Sequence, residues 1–481
     1  MRKKVLLMTA GALVLATITP VASAGVKPGT KCTKQGQTST TAGIKYTCIK
    51  SGNKLVWNKG VTVKAAAKPA PNPVIKPVEP TPVATPSATP VPTATPIPTP
   101  SVAPVSFEIT PAEKFKKLID CQVGTRQTGQ EQYGFPRPSL VIPTLGDRKS
   151  IALFVYFDDL PFEQRQFAEW RNNQIPTFEK YVQVMSYGKL KYKVDIFEKA
   201  IHIKKSVLAY NLDTAHDAPM KPNADAFGLV RDAVLAADAE IDFSNYEFIN
   251  VVTPWTRLIG FEGTTGVNIK ADGKQFNFAS FGPIREYLDD PTKKIWLLHE
   301  VGHMMGLIHQ FNVRADWGRN GFPIWSAMGS GVSPLPEFIA WEKFLLGWLS
   351  EDQVRCVGNF ESSSYTTQLT SLSATDSGVK SMMIKLTGNQ ILVIESRRTS
   401  ELGEILKGEE GVLAYIVDAD IRGNDGAATL VFNSPKTRRL PNGGGALIGT
   451  LQKGESIVVQ GIKLEVLGSD SLSDVVRVSK G

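Results

Sequence analysis

The stretch HEVGHMMGLIH occupies residues 299–309 and holds three of the five histidines in a chain of 481 residues. His299 and His303 are four residues apart, so a helix places both imidazoles on one face. Gly306 ends such a helix, because glycine enters a left-handed turn without strain. The turn brings His309 back towards the first two imidazoles. Three nitrogen ligands with a fourth position open to water are typical of a catalytic zinc site.

Glu300 adjoins the first of these ligands, where its carboxylate can reach water at a metal. Such a carboxylate is suited to act as a general base. The pattern His-Glu-x-x-His-x-x-Gly-x-x-His resembles the metzincin signature, which also requires a methionine-containing turn beneath the metal. IWSAMGSG follows the signature, and it makes Met328 the candidate for this turn. The resemblance implies a zinc metalloendopeptidase in which Glu300 is catalytic and His299, His303 and His309 bind the metal.

The chain also resembles the immune inhibitor A family of secreted metallopeptidases over residues 150–420. The resemblance lies in YVQVMSYGKLKYKVDIF, IDFSNYEFINVV, PEFIAWEKFLLGWL and ILVIESRR…GEEGVLAYIVD, which follow in the family's order. It implies zinc-dependent endopeptidase activity on proteins or peptides and a β-rich C-terminal domain. That family typically continues Gly-Leu-Pro-Asp after the second histidine, whereas this chain continues Gly306-Leu307-Ile308-His309. We therefore expect imidazole as the third ligand.

The expected fold class is α+β, with a metzincin-like peptidase domain followed by an all-β domain. We assign a mixed sheet and the active-site helix to residues 107–356, and a C-terminal β-sandwich to residues 357–481, where short strands alternate with turn signals. Residues 1–24 are predicted to be a signal peptide, because a charged start precedes a short apolar run and Ala-Ser-Ala. Residues 25–63 form a small module with a cysteine pair, and residues 64–106 form a Pro/Thr/Ala-rich linker.

The four cysteines suit an exported chain and suggest two disulfides. Three pairings are possible; we favour Cys32–Cys48 and Cys121–Cys356, because the linker separates the two pairs. The alternative keeps Cys121 as a free thiol that caps the metal before activation. The expected location is extracellular, and residues 25–63 could attach the protein to a cell-wall or surface polymer.

Composition excludes some partners. The net charge of +8 is spread along the chain without a dense basic stretch, so nucleic acid is not expected. No segment after the signal peptide is apolar enough to span a membrane. The second hypothesis for function is a non-catalytic adhesion protein that retains a peptidase fold, and the presence of Glu300 argues against it.

Three weaker patterns give further expectations. DADIRGNDG at residues 418–426 offers oxygen ligands for calcium, although a solvated turn between strands fits the same residues. QFNFASFG at residues 275–282 is the candidate edge strand on which a substrate would pair. An apolar stripe at helical spacing is predicted to be core rather than a binding site, and its residues are Trp341, Phe344, Leu345 and Trp348.

Overall fold

The computed structural model describes most of the chain in several stretches. These are residues 27–62 (except 34, 36, 42–43, 53 and 60), 106–213, 223–254, 256, 259, 263–282, 296–310, 324–329, 337–360, 364–405, 408–421, 426–432, 437–439 and 445–481. The predicted signal peptide and all but the last residue of the predicted linker lie outside them. The chain divides into two compact units, residues 1–100 and residues 101–481.

The described part of the first unit is a small antiparallel sheet. Its strands are β1 (Thr38–Thr41), β2 (Ile44–Ser51), β3 (Lys54–Trp57) and β4 (Val61–Thr62), with β2 pairing the other three. A disulfide joins Cys32 to Cys48, as predicted, and both sulfurs lie in a core with Tyr46 and Trp57. So few apolar residues make a covalent crosslink an important part of the stability of this unit.

The second unit begins with a six-stranded mixed sheet. Its strands are β5 (Gly146–Phe157), β6 (Leu190–Ile196), β7 (Ile201–Ile203), β8 (Ile249–Val252), β9 (Gly263–Ala271) and β10 (Lys274–Gly282). The order is β6-β5-β8-β10-β9, and β7 extends the sheet beside the end of β5. All neighbours are parallel except β9 and β10. Strand β9 is therefore an antiparallel edge on a parallel sheet.

Helices cover both faces of this sheet. One face carries α1 (Gln164–Glu169), which continues through a π-helical turn (Trp170–Gln174) into α2 (Ile175–Met185), and α4 (Trp296–Met304); the other face carries α3 (Ala226–Ala237). Helix α5 (Ala340–Leu345) shares the core of α2 and α4. Side chains of β5 alternate between two cores: Ala152 and Phe154 pack in the core that holds α2 and α4, while Leu153 and Val155 pack against α3. Burial on both faces explains why residues 151–157 are a near-continuous apolar run.

The rest of the second unit is built of strands. They are β11 (Val354–Val357), β12 (Tyr365–Thr370), β13 (Ser381–Lys385), β14 (Gln390–Arg397), β15 (Gly411–Asp418), β16 (Ala428–Leu430), β17 (Thr437–Arg439), β18 (Gly445–Leu447), β19 (Ser456–Val459), β20 (Ile462–Ser469) and β21 (Ser473–Lys480). A five-stranded sheet has the order β11-β13-β14-β15-β16, a four-stranded sheet has the order β12-β21-β20-β19, and β17 pairs with β18.

The five-stranded sheet has two buried faces. Leu392 and Ile394 of β14 join Leu464 and Val476 of the four-stranded sheet in one hydrophobic cluster. Between them in sequence, Val393 belongs to the core that contains α4 and α5. The strands that follow residue 356 therefore share a core with the helices that precede it.

A disulfide joins Cys121, in a short 3-10 helix, to Cys356 in β11, as predicted. Both residues are fully buried, and no cysteine is free. The hypothesis of a capping thiol at Cys121 is therefore wrong. The fold class is mixed α+β, with several sheets and few helices. In the described part of the chain, no helix is both long and apolar enough to cross a membrane.

Candidate metal centre

The histidine-bearing helix is α4, and its length is set by a glycine turn. Gly306 has φ +85°, the left-handed conformation that glycine adopts without strain. The Gly306 amide donates to the His303 carbonyl at 2.8 Å, and the Leu307 amide donates to the Gly302 carbonyl at 2.9 Å. This pair of hydrogen bonds is the Schellman pattern of helix ends. The chain then reverses and carries His309 back to the helix face.

Arg137 closes the carboxyl end of α4. Its Nη2 donates to the Gly306 carbonyl at 2.7 Å and to the Met305 carbonyl at 3.3 Å. A cation at a helix C-terminus stabilises the partial negative charge of the free carbonyls. A Cβ on Gly306 would collide with this guanidinium, so the position requires glycine for its space as well as its backbone angle.

The three histidine side chains converge. Nε2 of His303 lies 3.2 Å from Nε2 of His299 and 3.0 Å from Nε2 of His309. Nδ1 of His299 lies 2.7 Å from the Ala327 carbonyl oxygen, and Nδ1 of His303 lies 3.0 Å from the Leu307 carbonyl oxygen. Because a carbonyl only accepts, Nδ1 carries the proton in each neutral ring. The lone pairs of Nε2 then point at one another.

This arrangement fits a tetrahedral metal ion. Zn–N bonds of ~2.0–2.1 Å place two nitrogen ligands about 3.3 Å apart, which is close to the observed spacings. Ligand atoms of His299, His303 and His309 all lie within 4.8 Å of one another, and no other group of three possible ligands is found among the described residues. Converging lone pairs repel one another unless a cation lies between them, so the donor set fits zinc.

Burial keeps two of these rings neutral. Burial, together with the neighbouring His309, lowers the pKa of His299 to about 3. Burial and the two other rings hold the pKa of His303 well below its ordinary value. A metal ligand must be unprotonated, so both rings are in the binding form at neutral pH.

Glu300 lies beside this cluster and is 7% exposed. The Thr264 hydroxyl of β9 lies 3.0 Å from Glu300 Oε2 and 2.9 Å from the Glu300 carbonyl oxygen. A hydroxyl has one proton, so it donates to one of these acceptors at a time. The carboxylate is thus held against the edge strand, next to the first histidine.

The edge strand differs from the sequence prediction. Residues 275–282 lie in β10, which pairs with β8 on one side and β9 on the other, so their prediction as an edge is wrong. Among the described residues, β9 (Gly263–Ala271) pairs only with β10 and presents its other side freely. Both strands of this hairpin have similar apolar patterns, and only strand order distinguishes them.

Met328 lies beneath the histidines in a tight turn, which we define as residues 325–329 and call the Met328 turn. Its side chain is fully buried, and its Sδ occupies the space that a Cβ on Gly302 would need. The Gln310 amide donates to the Met328 carbonyl at 2.8 Å. The carbonyl of Ala327, in the same turn, is the acceptor that orients His299. The turn therefore supports both the helix and His299.

We expect Gly302→Ala to destabilise the protein, although alanine usually favours a helix. The new methyl overlaps Met328 Sδ, and overpacking of this kind costs about 1–3 kcal/mol. The Met328 turn must also shift, which should weaken zinc affinity. Thermal unfolding and chelator competition measure the two effects. Gly266→Ala on β9 is the control, because its Cβ meets nothing within 4 Å. If the two variants were equally stable, close packing of Met328 Sδ against Gly302 would be contradicted.

The sequence did not reveal the groups that hold the Met328 turn. The Ser326 hydroxyl donates to Glu342 Oε2 at 2.7 Å, and the Tyr133 hydroxyl donates to Oε1 at 3.0 Å. Burial raises the pKa of Glu342 to about 7. The available signal was a glutamate within an apolar helix, since a buried carboxylate requires partners. The predicted core stripe on the same segment is confirmed, with Trp341, Phe344, Leu345 and Trp348 all buried.

In the candidate calcium segment, residues 418–426, the carboxylates of Asp418 and Asp420 accept hydrogen bonds from protein groups. Asp418 Oδ2 accepts from Gln390 Nε2 at 2.9 Å. Asp420 accepts from the Arg126 amide at 2.7 Å and from Arg126 Nε at 2.8 Å. Residues 422–425 lie outside the described residues. Calcium at residues 418–426 stays a prediction.

The chain has only weak similarity to known proteins. No protein-family model and no curated protein matches the chain. Among solved structures, the chain is similar to OgpA from Akkermansia muciniphila. The catalytically inactive form in complex with an O-glycopeptide (glycodrosocin) substrate aligns with TM-score 0.28 and 12% identity, over 63% of this chain and 96% of that chain. Wild-type OgpA in two crystal forms aligns over the same shares with TM-score 0.27 and 14% or 12% identity. Similarity this weak defines neither fold nor function.

Proposed function

We propose that this chain is a secreted zinc-dependent endopeptidase of the metzincin type, resembling the immune inhibitor A family. One observation carries the proposal: Nε2 of His303 lies within hydrogen-bond distance of Nε2 of both His299 and His309. Glu300 follows His299 directly in the same helix. His299 and His309 are half-buried, so a substrate can approach them. A zinc ion with three protein nitrogens and one open position is the arrangement of hydrolytic rather than structural sites.

Zinc, when bound, supplies a Lewis acid that polarises the scissile carbonyl and acidifies the attacking water. Glu300 takes the proton of that water as a general base and then delivers it to the leaving amine. Thr264 holds the carboxylate in place by its hydroxyl. His299 and His303 are fixed by their Nδ1–H bonds to carbonyl groups, and with His309 they would hold the zinc through Nε2.

The edge strand β9 is the place for the substrate backbone. Its Thr264 contacts Glu300, so a peptide paired along the free side of β9 passes the histidine cluster. Addition of an extended peptide to a sheet edge supplies main-chain hydrogen bonds without requiring particular side chains. This geometry supports cleavage within a chain rather than at its ends.

The fold of the C-terminal strands and the location of the protein are part of the same proposal. The two C-terminal sheets form a β-sandwich, and the hydrophobic cluster that they share supports this. Secretion is supported by the two disulfides, which persist in oxidising compartments. Attachment of residues 25–63 to a surface polymer stays a prediction. A non-catalytic adhesion protein is the alternative, and the buried Glu300 beside the histidines argues against it.

A mixed peptide library tests the proposal. We expect the purified protein to cleave internal peptide bonds, a chelator to abolish cleavage, and added zinc to restore it. Mass spectrometry of the products identifies the bonds. Zinc-loaded protein that cleaves no peptide would favour the adhesion hypothesis, and cleavage that resists the chelator would exclude the metal mechanism.

We expect Thr264→Val to lower kcat by about 10- to 100-fold, because a hydrogen bond to a charged group contributes ~1.5–3 kcal/mol. Valine matches threonine in size and removes only the hydroxyl. KM and zinc content should change little, since Thr264 contacts Glu300 rather than the histidines. Thr264→Ser retains the hydroxyl and should recover most of the activity. Equal activity of the valine and serine variants would exclude a role for this hydrogen bond.

A further inference from the structure

The Met328 turn is held from outside by groups that come after it in the chain. Arg397 Nη2, on β14, donates to the Trp325 carbonyl at 3.0 Å. The Ala327 amide donates to the Glu337 carbonyl at 3.1 Å. Together with the bond from Ser326 to Glu342, these contacts fix the backbone on both sides of the carbonyl that accepts from His299.

Arg397 and Glu337 belong to a fully buried charge network, which we define as Glu337, Lys343, Glu395 and Arg397. Lys343 Nζ lies 2.6 Å from Glu337 Oε1, and Arg397 Nη1 lies 3.0 Å from Glu395 Oε1 and 3.7 Å from Glu337 Oε2. All four side chains have no exposed surface. Two carboxylates and two cations balance each other.

Neighbouring groups donate to the second oxygen of each carboxylate in the network. The Ser373 hydroxyl donates to Glu337 Oε2 at 2.6 Å. The Ala340 amide and the Tyr415 hydroxyl donate to Glu395 Oε2 at 2.7 and 2.8 Å. The network thus joins β14, α5 and the end of the Met328 turn through directional bonds.

Buried ion pairs are an inefficient way to gain stability, because removing four charges from water offsets most of their attraction. Their directional bonds do fix the relative position of the elements that carry them. Here they fix the backbone of the Met328 turn. The Ala327 carbonyl, which accepts from His299, lies only two residues after the Trp325 carbonyl, which accepts from Arg397. Outer hydrogen bonds of this kind set the orientation of a metal-binding imidazole.

We propose that Arg397 and Glu337 are positioning residues for His299, and that β14 is thereby a working part of the metal centre. The Arg397 guanidinium holds the Trp325 carbonyl, and the Glu337 backbone carbonyl holds the Ala327 amide. Between these two bonds, the turn presents the Ala327 carbonyl to Nδ1 of His299. The inference rests on the proposed function only in that a metal binds the three histidines.

The test compares two adjacent buried arginines in the full-length protein. Arg397→Lys keeps the charge but shortens the reach to the Trp325 carbonyl. Arg398→Lys is the matched control, because Arg398 is 5% exposed and pairs with Asp474 at 2.7 Å, away from the Met328 turn. Zinc affinity is measured by chelator competition, and the cobalt-substituted proteins are compared by visible absorption. Circular dichroism establishes that each variant is folded.

We expect Arg397→Lys to weaken zinc affinity by about 10- to 100-fold, as is typical of lost outer partners, and to alter the cobalt spectrum. Arg398→Lys should match the wild type in both. If Arg397→Lys does not fold, Ser326→Ala replaces it. This variant removes the hydroxyl that donates to Glu342 and accepts from the Met328 amide, so it loosens the same turn without touching the charge network.

Three results would overturn the inference. A folded Arg397→Lys or its Ser326→Ala substitute with wild-type affinity and spectrum would exclude positioning through the turn. Equal losses in the Arg398→Lys control would indicate general loosening of the sheet. A wild-type protein that binds neither zinc nor cobalt would overturn the proposed function as well, and only this result does so.

Discussion

Glu300→Gln is expected to lower turnover by ~10²–10⁴ or more, the range associated with loss of a general base. Glutamine has the size of glutamate and can still accept from Thr264, so the local packing survives. The histidine ligands are unchanged, and zinc content and thermal stability should therefore stay near those of the wild type. Steady-state kinetics on a peptide substrate, with metal analysis of the same sample, measure both effects.

A surface glutamate provides the control for Glu300. Glu240→Gln makes the same chemical change at an exposed residue that pairs with Lys199. It should leave turnover unaltered. Turnover by Glu300→Gln at the rate of the control would exclude this carboxylate as the base.

His309→Ala should fail differently, because it removes the proposed third ligand rather than the proposed base. Zinc affinity is expected to fall by more than the ~10- to 100-fold that loss of an outer partner costs, and activity falls with it. Stability in the presence of zinc should also decrease, since metal binding is linked to folding. Chelator competition and thermal unfolding with and without zinc measure these changes.

Two further variants sharpen this result. His309→Asp restores the third ligand of the family that the chain resembles, and carboxylate oxygen binds zinc at ~2.0–2.2 Å. The shorter side chain reaches less far from the turn, so we expect partial zinc retention and reduced activity. His202→Ala is the control, because His202 stacks on Tyr156 and pairs with Asp158 away from the cluster. Full zinc content and full turnover in His309→Ala would exclude His309 as the third zinc ligand.

The histidine cluster could be predicted because its geometry is local. A four-residue spacing puts His299 and His303 on one helix face, and Gly306 determines where the helix ends. The structure brings His299, His303 and His309 together within eleven consecutive residues. The disulfide pairing could also be predicted, since the linker separates Cys32 and Cys48 from the other two cysteines.

The surroundings of the cluster could not be predicted, because they depend on strand order and distant contacts. Thr264 precedes Glu300 by 36 residues, and Arg397 follows Trp325 by 72. No periodicity relates such positions. The edge strand was misassigned for the same reason: the strands of the β9–β10 hairpin look alike in sequence, and only pairing with β8 shows that β10 is internal.

The buried charges were missed for a different reason. Glu395 and Arg397 end a strand whose apolar run predicts only a buried sheet, and polar residues at a strand end usually mark the surface. Both are fully buried because Glu337 and Lys343, from other elements, complete their pairing. A single sequence does not disclose such compensation.

Binding of zinc by His299, His303 and His309 is tested by a crystal of the zinc-loaded protein measured at the zinc absorption edge. We predict one strong anomalous peak per chain, about 2.0–2.1 Å from Nε2 of His299, His303 and His309. The fourth ligand should be a solvent oxygen within reach of Glu300. A peak held by other residues, or no peak between these three rings, would contradict a catalytic zinc site at these histidines.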